Sequence, residues 1–313
     1  MRYRTFGRTG LNVSTVSMGT NRLGDPGVDP AAWPPIVERA LQLGVNFFDT
    51  SISYNQGRSE AILGEVTSRH PGPTHIATKV GFDIDFEFSQ GSPVRDYSAR
   101  AILRDIDGQL QRLRRDAIDM YLLHSPSIQV LETYDWAEAI AALKQQGKIC
   151  WFGISTSDHA SGIWAIEHGA DLLQIEYDLL NPTAEDELLP LAEEHHVGIM
   201  IRTPLARGLL TGKFKVGEPI APEQQWRRPK GDQLQLRLAR IEQLRFLERP
   251  DQTLGQAAVR FVLANPAVHC AVPGARTIAQ LESNLPAADA DLTPEELDQV
   301  KQLHTAWRAE GRF

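Results

Sequence analysis

Cysteine is scarce in this chain of 313 residues: Cys150 and Cys270 are the only two. A disulfide framework is thereby excluded. Both lie in β-rich runs and read as buried free thiols in a reducing compartment. No Cys-x-x-Cys, His-Glu-x-x-His or Cys/His cluster has metal spacing, so no metal is expected. His195 and His196 are adjacent, so on a helix they cannot share a face. An apolar leader is missing from Met1–Phe6, and no apolar run is long enough to span a bilayer. A cytoplasmic protein without a membrane partner is expected. Positive charge is in deficit: 32 Lys and Arg against 40 Asp and Glu leave a net charge of −8. That balance argues against a nucleic-acid partner, whose phosphates demand many cations. The short cluster Arg227, Arg228, Lys230 then reads as a solvated loop. Also absent are a Gly-x-Gly-x-x-Gly after the first strand, which counts against an open dinucleotide-binding sheet, and a Gly-x-Ser-x-Gly elbow, which counts against hydrolases.

What is present is alternation. Hydrophobic residues form 42% of the chain, enough for a full core. Short β-rich runs cover roughly Val13–Gly19, then Val45–Asp49, His75–Lys79, Ile118–His124, Cys150–Ser155, Leu172–Tyr177, Gly198–Arg202 and His269–Pro273. Between them the spacing turns helical, as at Trp33, Ile36, Val37, Ala40, Leu41 and at Ile102, Ile106, Leu110, Leu113 behind a candidate N-cap at Ser98. Thr253 with Gln256 forms a capping-box pattern, and Thr293, Pro294 and Glu296 open a last helix in the same way. Repeated strand–helix units imply a parallel sheet covered by helices. About eight of them favour an α/β fold of the closed (β/α)8 TIM barrel type, a single domain over residues 1–313. The residues before Val13 turn at Thr9–Gly10 and read as an N-terminal hairpin closing one barrel end, and extra C-terminal helices complete the fold. The connection Thr203–Asp251 is too long for a simple loop. It reads as helical from about Asp232 to Arg249, and long insertions at this barrel face are usually functional covers.

The run ends carry the chemistry. Asp49, Lys79, His124 and Ser155 end four runs, Gln174 lies inside the next, and Arg202 ends the one after. Strand C-termini of such a barrel converge on one mouth, where active sites lie. Each residue alone has a structural reading: Asp49 as a turn cap, Lys79 snorkelling to water, His124 as a loop histidine, Tyr54 as a surface turn residue. Together at one mouth they fit hydride transfer to a carbonyl, in which negative charge grows on oxygen and needs a proton and stabilisation. A phenol titrates near pH 10, and a neighbouring lysine cation favours its phenolate.

The run Asn46-Phe-Phe-Asp49-Thr-Ser-Ile-Ser-Tyr54, followed by Gly57-Arg-Ser-Glu60-Ala-Ile-Leu-Gly64, resembles the aldo-keto reductase superfamily. So do Ile76-Ala-Thr-Lys79-Val-Gly81, Asp119-Met-Tyr-Leu-Leu-His124-Ser-Pro126 and the opening Phe6–Ser14. The resemblance implies a catalytic tetrad of Asp49, Tyr54, Lys79 and His124 with Tyr54 as general acid, acting on a small carbonyl or alcohol substrate with NADPH. It implies nicotinamide-ribose contacts at Gly19-Thr20-Asn21, and carboxamide contacts at Ser155 and Gln174, with Thr156 where relatives usually have asparagine. Pro204-Leu205-Ala-Arg-Gly208-Leu-Leu-Thr-Gly-Lys213 resembles the loop that wraps the pyrophosphate. It is no Walker motif, since Phe214 stands where Ser or Thr is required. Gly274-Ala-Arg276-Thr277-Ile-Ala-Gln280, running on to Asn284, resembles the adenosine-binding stretch, with Thr277 as an N-cap and Ser283 where many relatives carry an acid. Free N–H groups at a helix start suit phosphate, and the planar Arg276 suits a 2′-phosphate, hence NADPH. Arg202 replaces an aromatic that stacks on the nicotinamide in many relatives. It either lies against that ring and favours the reduced cofactor, or turns away to pair with a carboxylate or the substrate.

Two other functions remain open on sequence. One is an NADPH-binding redox sensor or regulatory subunit with little turnover. The other is a lyase using Lys79 as a Schiff-base amine. The loop Gly81–Asp96, with Phe82, Phe86 and Phe88, reads as a wall of the substrate pocket.

Overall fold

The computed structural model describes residues 1–82, 95–218, 220 and 228–311. Its first two strands, β1 (Tyr3–Thr5) and β2 (Asn12–Ser14), pair antiparallel with Arg4 opposite Val13. Eight further strands follow: β3 (Met18–Gly19), β4 (Phe47–Asp49), β5 (His75–Val80), β6 (Ile118–His124), β7 (Ile149–Thr156), β8 (Leu172–Glu176), β9 (Gly198–Arg202) and β10 (Cys270–Ala271). They pair in parallel in chain order. Parallel bridges Val16–Ala271 and Gly19–Gly274 join the last strand to the first. Ala271 N donates to Thr15 O and Ser17 N to Ala271 O, each at 2.9 Å. The sheet thus closes into the expected (β/α)8 barrel and keeps no free edge.

Helices cover the outside: α1 (Pro34–Gln42), α2 (Arg58–Thr67), α3 (Ala99–Leu113), α4 (Ile128–Thr133), α5 (Trp136–Gln145), α6 (His159–Glu167), α7 (Leu188–Glu194), α8 (Gly231–Gln243), α9 (Leu254–Ala264), α10 (Ile278–Asn284) and α11 (Pro294–Ala309). Local chemistry starts them where expected. Ser98 accepts from Ala101 N, Thr277 accepts from Gln280 N, and Thr253–Gln256 and Thr293–Glu296 are both complete capping boxes. α8 and α11 stand outside the strand–helix alternation. α11 docks by Trp307 and His304, whose rings meet the Arg240 guanidinium and Phe261. No helix among the described residues is long and apolar enough to cross a membrane.

Three expectations need correction. The run Val13–Gly19 is two elements, because Ser17 Oγ donates to Ser14 O at 2.8 Å and Ser14 N donates to Asn46 Oδ1 at 2.7 Å. These side-chain bonds take the chain out of the ladder between hairpin and barrel. The helix expected to reach Arg249 stops at Gln243, and a 3-10 turn at Arg245–Leu247 follows. Cys150 is exposed, at the start of β7, while Cys270 is buried as expected.

Period two sorts the strand residues. Phe47, Ala77, Met120, Leu122, Leu172, Met200, Cys270 and Val272 point into the barrel and form one apolar cluster with Phe6 and Val13 of the hairpin. Their neighbours Phe48, Ile76, Tyr121, Leu123, Leu173, Ile199 and Ile201 point outward into the larger core beneath the helices. Phe6 stoppers the N-terminal end, its ring 5.9 Å from Phe47 and 5.4 Å from His269. Gly198 makes room for it, since a Cβ there would stand 2.4 Å from the Phe6 ring. With that end filled, the opposite mouth is left for chemistry.

Candidate active site

The same alternation aims the functional groups. Phe47, Ala77, Leu122, Leu172 and Met200 face the interior, so Asp49, Lys79, His124, Gln174 and Arg202, each two residues further on, face it too at the C-terminal mouth. Ser155 sits in register between His124 and Gln174. Tyr54 comes from the loop after β4, where Asn55, Gln56 and Gly57 in the left-handed region turn the chain into α2.

Lys79 is fully buried. Its Nζ donates to Asp49 Oδ1 at 2.6 Å, Thr50 O at 2.7 Å and Tyr54 Oη at 3.2 Å. Three N–H bonds meet three acceptors, which fully satisfies an ammonium. Burial opposes the cation, but Asp49 and then Tyr54 outweigh it and raise the Lys79 pKa. The snorkelling reading of Lys79 is thereby excluded. Asp49 Oδ1 also accepts from Gln174 Nε2 at 2.7 Å, and Gln174 Oε1 accepts from Ser155 Oγ at 2.8 Å.

The His124 ring lies edge to face with Phe82, centroids 4.4 Å apart, and with Tyr54 at 6.0 Å. Its Nδ1 is 3.2 Å from Ser51 Oγ. Its carbonyl accepts from the buried Tyr97 hydroxyl at 2.7 Å, and burial pushes the Tyr97 pKa up to about 12. Gly81 is required beside that ring, because a Cβ there would meet it at 2.3 Å. The structure therefore gathers Asp49, Tyr54, Lys79 and His124 at one mouth. Of the three aromatics expected to wall the pocket, Phe82 packs on His124, and Phe86 and Phe88 lie outside the described residues.

The candidate cofactor residues fall into three groups. Thr20, fully buried, binds the Asp49 carbonyl through both N and Oγ1, at 3.0 and 2.8 Å, so its side chain holds β4 in place. Gly19 bridges Gly274, and Asn21 Oδ1 would stand 3.4 Å from a Cβ on Gly274. Gln280 Oε1 accepts from Arg276 N at 2.9 Å and Asn284 Nδ2 donates to Gly274 O at 3.4 Å, so both brace the loop that carries Arg276. Pro204 and Leu205 lead into a loop in which Thr203, Ala206, Arg207 and Gly208 all have positive φ. Three of these residues bear a side chain, a strained backbone of the kind found at ligand clamps.

Several residues of this mouth were missed. Glu176, two residues beyond Gln174, accepts from Arg202 Nη2 at 3.1 Å and Arg207 Nη2 at 2.8 Å. Arg202 Nη1 is also 3.4 Å from Ser155 Oγ. Arg202 thus adopts the second of its two expected arrangements, paired with a carboxylate. The spacing of Gln174 and Glu176 was the available signal. Lys213, Arg228 and Arg276 form a group of cations. Burial and then mutual repulsion lower the pKa of Lys213 and Arg228, with Arg276 among the causes for both. Among the described residues none of the three has a carboxylate ion-pair partner, so Arg228 is not the plain solvated residue first expected. No group of three or more potential metal ligands occurs among the described residues.

A barrel mouth that buries an ammonium against a phenol is suited to delivering a proton to an oxygen gaining charge, and with this fold it defines a class of barrel oxidoreductases. The sequence model of the aldo/keto reductase family matches residues 15–305, and the chain belongs to that family. Membership makes it an oxidoreductase that works with a nicotinamide cofactor. It is 30% identical to "Uncharacterized oxidoreductase YqkF" of Bacillus subtilis, over 97% of both chains. It is 28% identical to "Probable voltage-gated potassium channel subunit beta" of Arabidopsis thaliana, over 97% of this chain and 96% of the other. Among solved structures, the holo form of aldo-keto reductase AKR11C1 from Bacillus halodurans superposes with a TM-score of 0.80 at 31% identity. That match covers 97% of this chain and 96% of the other.

Proposed function

We propose that this chain is an NADPH-dependent reductase of small aldehydes or ketones, a single barrel domain acting in the cytoplasm, with Tyr54 as general acid. The observation that carries this reading is the buried Lys79 Nζ standing between Asp49 Oδ1 and Tyr54 Oη at 2.6 and 3.2 Å. A bound nicotinamide supplies hydride to the carbonyl carbon. The Tyr54 hydroxyl gives its proton to the oxygen that gains the electron pair, and Lys79 stabilises the negative charge left on Oη. Asp49 keeps Lys79 charged and in place. His124 donates a hydrogen bond that orients the carbonyl.

The mouth also fits the cofactor's phosphates. Lys213, Arg228 and Arg276 crowd one another without a carboxylate among the described residues, and a phosphate dianion would relieve that repulsion. Gly19, Asn21, Pro204, Leu205, Gly208 and Gly274 line its path, while Ser155 and Gln174 take the carboxamide. The similarity to a potassium channel β subunit keeps a second reading, an NADPH-binding regulatory subunit with little turnover.

The test follows NADPH absorbance with a panel of aldehydes and ketones, wild type beside Tyr54→Phe. Turnover that falls by about 10²–10⁴-fold in the variant, with NADPH binding intact, is expected. Tight NADPH binding without turnover on any carbonyl would favour the regulatory reading, and no nicotinamide binding would overturn both.

A further inference from the structure

We propose that Ser51 fixes the imidazole of His124 in the tautomer that carries its proton on Nε2, and so makes His124 a donor toward a bound carbonyl. The inference rests on the reductase reading above, and Ser51 acts in it as a positioning residue.

Ser51 Oγ is fully buried on the loop between β4 and α2. Three groups reach it: Ser53 N at 3.3 Å, Ser53 Oγ at 3.0 Å and His124 Nδ1 at 3.2 Å. A hydroxyl has one proton and two lone pairs. The backbone N–H of Ser53 can only donate, so it takes one lone pair. The remaining lone pair and the one proton must be shared between the Ser53 hydroxyl and His124.

Only two assignments satisfy all three contacts. In the first, Ser53 Oγ–H donates to Ser51 and Ser51 Oγ–H donates to His124 Nδ1. In the second, both directions reverse: Nδ1–H donates to Ser51, and Ser51 donates to Ser53. The second leaves the Ser53 proton without an acceptor, because Ser51 is the only hydrogen-bond partner of Ser53 Oγ among the described residues and Ser53 is 2% exposed. A buried hydroxyl proton without a partner is costly. The first assignment stands, and Nδ1 must then be an acceptor, which puts the ring proton on Nε2.

The ring cannot readily escape by turning over. Phe82 and Tyr54 hold its faces and edges, and the Tyr97 hydroxyl anchors the backbone beneath it. The consequence is chemical. With the opposite tautomer, Nε2 would present a lone pair to a substrate oxygen and repel it. With this one, a neutral imidazole donates, and no protonation of the ring is required.

The experiment is ¹⁵N NMR of histidine-labelled protein, with His124→Gln to assign the His124 signals. Ser51→Ala, Ser51→Cys, Ser51→Thr and Ser53→Ala are compared with wild type, alongside NADPH-linked turnover and NADPH affinity. Wild type is expected to show a protonated Nε2 and an accepting Nδ1. Ser51→Ala should give a mixture of tautomers and a kcat lower by about tenfold with NADPH affinity unchanged, and Ser51→Thr should restore both. If Ser51→Ala fails to fold, Ser51→Cys, whose thiol is a weaker donor, should mix the tautomers, whereas Ser53→Ala leaves Nδ1 as the only acceptor for the Ser51 proton and should keep Nε2 protonated. A proton on Nδ1 in wild type, a single unchanged tautomer in Ser51→Ala or Ser51→Cys, or a proton on Nδ1 in Ser53→Ala, would overturn the proposal. The tautomer is read without turnover, so failure of the reductase reading shows separately as absent NADPH oxidation.

Discussion

Gln174 reaches across the barrel mouth to Asp49: its Nε2 lies 2.7 Å from Oδ1, the oxygen that also receives Lys79 Nζ at 2.6 Å. One carboxylate oxygen thus couples the candidate proton donor to a residue proposed to hold the cofactor. Hydrogen bonds to a charged group contribute about 1.5–3 kcal/mol. Gln174→Leu is expected to lower kcat/KM by roughly 10- to 100-fold and to weaken NADPH binding as well. Steady-state kinetics beside a fluorescence titration of NADPH check this. Loss of affinity alone, with kcat intact, would mean that the bond to Asp49 does not matter to catalysis.

Arg202 and Arg207 both reach Glu176, and the Arg202 guanidinium carries its positive charge at the inner mouth. Oxidised nicotinamide is itself a cation. Arg202→Leu should therefore improve NADP⁺ binding relative to NADPH by about 1 kcal/mol, roughly fivefold. The ratio of the two dissociation constants measures it, and an unchanged ratio would show that Glu176 already cancels the field.

Glu60 has no exposed surface. Its carboxylate accepts from Thr78 Oγ1 at 2.6 Å, Gln109 Nε2 at 2.9 Å and Arg112 Nε at 2.8 Å, which ties α2 and α3 to β5. Removing one partner of a buried pair costs about 3–5 kcal/mol. Glu60→Ala is expected to lose stability of that order in urea denaturation. The protein that remains folded should keep most of its turnover, since Glu60 lies behind β5 and not in the mouth.

Burial pushes the Asp178 carboxyl up to about 7, against the pull of Leu180 N and Arg237. The unfolded group titrates near 4, as free aspartate does. Between those values the folded chain keeps a proton that the unfolded chain has shed. Stability therefore falls as pH rises through that window and levels off above it. Asp178→Asn retains the acceptor for Leu180 N and removes the loss. Its melting temperature should exceed that of wild type by a margin that grows from about pH 5 to about pH 8, reaching roughly 5 °C. An equal margin at both values would refute the assignment.

The barrel and the placing of its ionisable groups were legible because period two acts locally. Once Phe47 and Leu122 are inside, Asp49 and His124 must be as well. Partners across strands were not legible. Glu176 and Arg202 sit directly opposite in the register of β8 and β9, and register is set by closure of the whole sheet. Cys150 was misread for a related reason. β7 starts at the buried Ile149, one residue before the expected run, and Cys150 beside it is exposed. One of the two bonds that split Val13–Gly19, from Ser14 N to Asn46 Oδ1, depends on a residue distant in sequence and left no local trace.

The seam between Val16 and Ala271 joins the two ends of the sheet, and the amino terminus itself rests on Asp289. During synthesis on the ribosome, β3 has no partner on one side until β10 has emerged, after nearly all of the chain. Until then the nascent sheet has two open edges, which are templates for pairing with other chains. The seam cannot close before β10 has emerged, and this places the risk of aggregation late in translation rather than early.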